Sequence, residues 1–107
     1  MAKNGYRLLS PESVKLMSTN HLTGKQSEDF YLIRPGYGYG FGVRTHIDES
    51  KSGSLSPIGE FGWDGAAGAF SLVDTKNKLS LTYFQHVHNW DVKMQSEIRN
   101  ALYSCFE

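Results

Sequence analysis

Ten residues near the middle of the chain, Gly59-Glu60-Phe61-Gly62-Trp63-Asp64-Gly65-Ala66-Ala67-Gly68, concentrate the features that chemistry needs. A strand-like lead-in ends in small residues, with an aromatic and an acid at the brink. Small residues let a substrate approach the backbone and leave amide N–H groups unobstructed, the geometry that holds a developing oxyanion. The competing reading is a β-bulge followed by a tight turn, in which glycine and alanine are merely small. Other reactive side chains carry less. His86 and His88 would share a strand face and could chelate a metal if His46 and Asp48 approached, but a polar strand end explains them as well. Glu60 and Asp64 have the types of a glycosidase pair, yet a separation of four residues is not a signal for one. Cys105 falls in an apolar stripe and reads as a buried small hydrophobe. Gly36–Gly42 lacks the helix that must follow a dinucleotide loop.

The elements that would position these residues are legible in part. Ser10-Pro11-Glu12 opens a helix, with Ser10 as N-cap, Pro11 at the first helical position and Glu12 favoured by the dipole. Val14, Met17 and Leu22 would face a core, Thr23-Gly24 would end the element, and His21 would be a solvated helix-end residue. Lys25 to Pro35 reads as a loop with a short extended piece. Gly36 to Val43 alternates with period two, glycines on one face and aromatics on the other, which predicts a strand whose bare face admits another backbone. His46 to Pro57 reads as a long surface turn. Strands are predicted at Ile58–Trp63, Ala67–Val73 and Leu79–Val87, the last two joined by a hairpin loop over Asp74–Lys78. Asn89-Trp90-Asp91 would open a closing helix whose stripe is Met94, Ile98, Leu102 and Cys105, leaving Lys93, Glu97, Arg99 and Asn100 outside. The order predicts an α+β fold: an antiparallel β-sheet meander flanked by N- and C-terminal helices.

The run 59–86, and more loosely the whole chain from Leu8 to the closing helix, resembles the C-terminal sheet of the serine β-lactamase-like hydrolases. That superfamily includes class C β-lactamases, penicillin-binding proteins and related esterases and D-aminopeptidases. Its last active-site motif is Lys-Thr-Gly, or His/Trp-x-Gly in esterase-like branches, and Trp63-Asp64-Gly65 stands at that place. The resemblance implies that the Ala66 backbone N–H, behind Gly65, serves an oxyanion hole, and that Trp63 and Asp64 line the substrate side. An indole cannot supply the lysine's charge to a β-lactam carboxylate, so an ester or peptide substrate is favoured over a β-lactam. The family's nucleophile motif, Ser-x-x-Lys, and its Tyr-x-Asn motif are absent: no serine of this chain has a lysine three residues on. The chain therefore reads as one wall of an acyl-transfer site, inactive alone, whose partners would be the nucleophile-bearing N-terminal and helical part of a parent hydrolase and a small ester, amide or peptide. A non-catalytic binding or regulatory module, or one chain of a split enzyme, is the alternative.

Composition sets bounds. The 107 residues suit one domain over 1–107, able to bury roughly two thirds of the surface its unfolded form exposes. Lys+Arg and Asp+Glu are each 11, and this balance argues against nucleic-acid or anionic-membrane partners. A single cysteine excludes an internal disulfide. No cofactor or metal is implied. No charged-then-apolar leader opens this stretch, which favours a cytoplasmic setting while leaving the compartment open. The Leu79–Val87 strand, β-prone and lightly guarded by charge, predicts self-association of the chain by edge pairing or by exchange of a terminal helix.

Overall fold

The computed structural model describes residues 2–87 and 92–106. Four helices, α1 (Pro11–Met17), α2 (Gly24–Ile33), α3 (Glu49–Ser52) and α4 (Val92–Tyr103), accompany five strands, β1 (Tyr37–Tyr39), β2 (Arg44–His46), β3 (Phe61–Asp64), β4 (Phe70–Asp74) and β5 (Leu79–Tyr83). The strands form one antiparallel sheet in the order β1-β2-β3-β4-β5, so the α+β meander stands.

Helix α1 begins as its residues dictate. The Ser10 hydroxyl accepts from the Ser13 N–H and Pro11 occupies the first turn. Strand register then places the core. Phe70 faces Tyr83, Leu72 faces Leu81 and Asp74 faces Leu79 across β4 and β5. These pairs alternate onto one face, where Tyr103 and Ile98 of α4 cover them. Phe70, Leu72 and Tyr103 are the buried centre. Asp74 enters this apolar layer by bonding at both ends of its carboxylate. It accepts from the Asn77 N–H at 3.0 Å, from Asn77 Nδ2 at 2.7 Å and from the Tyr103 hydroxyl at 2.8 Å, tying the β4–β5 loop to α4.

Several expectations are corrected. Residues 25–33 are helix α2, not a loop: Phe30 packs against Tyr39 with centroids 5.8 Å apart and the Tyr31 hydroxyl donates to Asp48 Oδ2 at 3.0 Å. Its apolar residues are consecutive, Phe30 to Ile33, so the helical period was masked and tertiary contact decides the conformation. Thr23 is accordingly its N-cap residue, not the end of α1. The Gly36–Val43 strand is a hairpin: Gly40 N–H donates to the Val43 carbonyl at 2.8 Å, and Gly42 turns the chain at φ 78°. Its glycines do admit close neighbours, the Asn20 side chain at Gly38 and the Met17 carbonyl at Gly40. His46–Pro57 is not a surface turn throughout; His46 is fully buried in β2 and Asp48 caps α3. Ile58 is an exposed turn residue and β3 starts at Phe61. In α4 the buried residues are Gln95, Arg99 and Tyr103; Arg99, expected outside, is inside, and Cys105, expected inside, is exposed. The Asn89-Trp90-Asp91 opening of that helix and His88 lie outside the described residues.

Two outcomes are expected from this packing. Gly62 pairs with Leu72 on β4, and a Cβ there would overlap the Ser71 carbonyl oxygen. Gly62→Ala should therefore cost on the order of 1–3 kcal/mol or more in denaturant melts, as overpacked sites do. The second concerns acid. Burial pushes the Asp74 carboxyl up, but hydrogen bonds from Asn77 and Tyr103 outweigh it and hold the pKa below its ordinary value. A depressed carboxylate contributes stability above its unfolded pKa, about 3.9, and loses that contribution as pH falls through the lower folded value. Urea melts should thus show stability falling below about pH 4, and Asp74→Asn should flatten that fall while lowering stability at neutral pH.

Candidate functional site

The site is the end of β3 and the turn that follows it. Asp64 pairs with Phe70, the last ladder pair, and Gly65 N–H donates to the Ala69 carbonyl at 2.7 Å. Gly68 N–H donates to the Gly65 carbonyl at 3.0 Å, closing a four-residue turn with Ala66 and Ala67 at its corners. Gly68 is at φ 88°, which favours glycine, and a Cβ there would require the end of the Gln85 side chain to move. The turn is fixed from behind: Val87 N–H donates to the Ala67 carbonyl at 3.2 Å and Gln95 Nε2 to the Gly68 carbonyl at 3.4 Å. Ala66 is exposed, and its N–H has no hydrogen-bond partner among the described residues. A cavity of about 600 Å³ opens in front of it, lined by Phe30, Ile33, Arg34, Trp63, Gly65 and Ala66 among others. Trp63 is 43% exposed and meets Tyr39 edge-on at 5.3 Å between centroids.

The Asp64 side chain is 2% exposed. It forms an ion pair with Arg34 Nη2, and its Oδ1 lies 3.7 Å from Arg44 Nε. Arg44, itself buried, donates through Nη1 to both oxygens of Glu60 at 3.0 and 3.1 Å. The spacing of Glu60 and Asp64, which carried no catalytic signal, has a structural meaning: the two carboxylates bracket β3 and grip one guanidinium between them. Behind Glu60 the network continues. Ser56 Oγ lies 3.4 Å from Glu60 Oε2 and 3.3 Å from His46 Nδ1. His46 Nδ1 also meets the Pro57 carbonyl at 3.2 Å, an atom that can only accept, so Nδ1 carries a proton, and Nε2 lies 2.7 Å from the Ser52 hydroxyl.

The structure thus brings Trp63, Asp64, Gly65 and Ala66 together at one end of β3, all four lining the cavity, with the Asp64 carboxylate paired to the arginines. Sequence reasoning missed Arg34, Arg44, Gln85 and Gln95, all of which hold this turn or its strand. Arg34 follows α2, whose consecutive apolar residues hide a helical period, and Gln95 is buried on the same face of α4 as Arg99, a face that the apolar stripe leaves outside. His86 is exposed beyond the end of β5, and among the described residues no group of three or more His, Cys, Asp or Glu side chains could hold a metal ion. Among the same residues no helix is long and apolar enough to cross a membrane.

Comparison with known proteins gives the fold its setting. No family model matches the chain. Protein Rv1367c of Mycobacterium tuberculosis (strain ATCC 25618 / H37Rv) is 39% identical over 90 residues, covering 78% of this chain and 22% of that protein. Uncharacterized protein MT1414 of strain CDC 1551 / Oshkosh matches with the same identity and coverage. The chain thus spans less than a quarter of the length of the curated relatives it matches. Among solved structures, EstCE1, a hydrolase with promiscuous acyltransferase activity, superposes with a TM-score of 0.74 at 24% identity, covering 89% of this chain and 24% of that one. The simvastatin synthase LovD of Aspergillus terreus, in a mutant form, superposes with a TM-score of 0.71 at 19% identity, covering 92% of this chain and 30% of that one. The antiparallel sheet with flanking helices is therefore an α+β fold shared with these two structures.

The contrast between Trp63 and Asp64 is measurable. Trp63→Ala, at a half-exposed rim, should cost about 1 kcal/mol. Asp64→Ala leaves two buried guanidinium groups short of a carboxylate and should cost about 3–5 kcal/mol, read from chemical denaturation of the two variants side by side.

Proposed function

We propose that this chain forms the C-terminal sheet of a β-lactamase-related serine hydrolase or acyltransferase and supplies one of the two oxyanion donors of its site. The observation that carries the reading is Ala66, an exposed residue at a braced turn directly after Trp63-Asp64-Gly65, whose N–H has no partner among the described residues and which lines a cavity large enough for a small acyl group. The shared fold with a hydrolase and a synthase supports the same reading. In this scheme a serine on another segment attacks an ester or amide carbonyl, and the developing oxyanion accepts from Ala66 N–H and from the amide of that serine. Trp63 supplies an apolar wall, which suits an uncharged acyl group better than a β-lactam carboxylate. Asp64 acts from behind, holding β3 against Arg34 and Arg44 so that the turn keeps its aim.

The sheet edges fit a part designed to be completed. The β1 edge is covered within the chain: His21 N–H donates to the Tyr39 carbonyl at 2.9 Å and Tyr39 N–H to Asn20 Oδ1 at 3.1 Å. Strand β5 pairs only with β4 among the described residues, and Phe84 just beyond it is 83% exposed. In the proposed assembly a strand from the nucleophile-bearing part pairs with β5. Without it the same edge serves a second copy of the chain.

Two outcomes test this reading. The chain alone should show no turnover of p-nitrophenyl acetate or nitrocefin above a protein blank and no fluorophosphonate labelling; stoichiometric labelling of any serine would overturn it. Joined to a segment carrying Ser-x-x-Lys, it should gain ester turnover, and Ala66→Pro should then remove about 10²–10³ of kcat. Proline suits the second position of the Gly65–Gly68 turn and deletes only the N–H, so an unchanged kcat in a folded Ala66→Pro protein would remove Ala66 from the mechanism.

A further inference from the structure

A second, smaller cavity lies where the end of α2, the helix α3 and the first turns of α4 meet the β1–β2 side of the sheet. Its volume is about 90 Å³, and Arg34, Tyr37, Arg44, Ser52, Ser96 and Arg99 contribute to its lining. A space of this size is ample for water or for a small group of a few heavy atoms. All three arginines are buried. Arg44 and Arg99 lie against the same Tyr37 ring, with Cζ 5.0 and 5.8 Å from its centroid, so their charges are crowded together.

The charge balance of this cluster is incomplete. Three buried guanidinium groups face two carboxylates, Glu60 and Asp64. The next buried acid, Asp74, is occupied by Asn77 and Tyr103. Among the described residues three buried polar atoms of the lining side chains lack a partner: Arg44 Nη2, Arg99 Nε and the Tyr37 hydroxyl. Each is a donor, and a buried donor left unmade is costly. Arg34 registers the crowding: burial lowers its pKa first, Asp64 opposes this, and the Arg44 and Arg99 charges lower it further. One anion would supply the missing charge and accept from all three unpartnered donors at once.

We propose that this cavity is a binding site for a single small oxyanion, a carboxylate or a phosphate group, held by Arg44, Arg99 and Tyr37. The proposal is independent of the acyl-transfer reading, since it concerns the other cavity and needs no nucleophile.

The test is calorimetric titration of the full chain with sodium phosphate and, separately, with sodium acetate, at ionic strength held constant with chloride. Saturable one-to-one binding of either anion is expected, and the tighter of the two identifies the group that the site was built for. Arg99→Met should weaken that binding about tenfold or more, the worth of a hydrogen bond to a charged group. Tyr37→Phe removes a hydroxyl that has no partner to lose, so the fold should persist while binding weakens about three- to tenfold. Absence of saturation with both anions, an equal response to chloride, or unchanged affinity in Tyr37→Phe would overturn the proposal. So would binding seen only after Asp91→Asn, because the carboxylate next in sequence to Val92 would then be the group that satisfies the arginines.

Discussion

Arg44 is the residue on which the arrangement turns. A guanidinium that is almost wholly removed from water must be matched by charge and hydrogen bonds, because an isolated buried ion costs several kcal/mol even after relaxation. Glu60 answers it from the start of β3 and Asp64 from its end, so the strand is held across its length by one side chain of its neighbour. Asp64 recruits Arg34 from the end of α2, and Glu60 reaches through Ser56 to His46 and the α3 region. Each member is costly without the others, which makes the cluster form as a unit and fixes β2 against β3 more specifically than apolar contact would.

The apolar core by itself is small. Phe70, Leu72 and Tyr103 form its centre, with β5 side chains and Ile98 around them, and it lies on the β4–β5 half of the sheet. The β1–β3 half is covered by polar and charged groups instead: Arg44, His46, Glu60 and Arg99 are all buried. Meanwhile Leu8, Leu32, Ile33 and Phe84 are exposed. These exposed apolar side chains lie before α1, on α2 and just past β5, outside the strands themselves.

How far the sequence spoke depends on the kind of force involved. The β3–β4–β5 meander was legible because alternation, glycine and turn residues are local signals. The Trp63–Ala66 turn was legible for the same reason, and Ser10-Pro11-Glu12 opened α1 as such a triplet should. The missed features share one cause. Helix α2 has no apolar period, and what sets it is the contact of Phe30 with Tyr39 and of Tyr31 with Asp48. The stripe Met94, Ile98, Leu102 and Cys105 puts Cys105 inside and Arg99 outside, whereas Cys105 is exposed and the Arg99 guanidinium lies against Tyr37 and Phe70. Hydropathy patterns assign a buried arginine to the surface, so a core built partly from ions is read inside out.

That inversion also bears on the two cavities. Arg34 lines both of them, and its ion pair with Asp64 is the material link between the charged cluster and the turn that carries Ala66. Asp64 is shared between Arg34 and Arg44, and Arg44 is shared between Asp64 and the interior cavity. A negative group entering that cavity would compete with Asp64 for the same guanidinium charge, while relieving the repulsion among the three arginines. The two effects act in opposite directions on the end of β3: weaker attraction for Asp64 loosens the strand end, and lower repulsion lets Arg34 and Arg44 close on it. Asp64 forms an ion pair with Arg34, and its Oδ1 lies 3.7 Å from Arg44 Nε. Arg44 also has Glu60 as a partner, so the pair with Arg34 is the one that ties the Gly65–Gly68 turn to the end of α2.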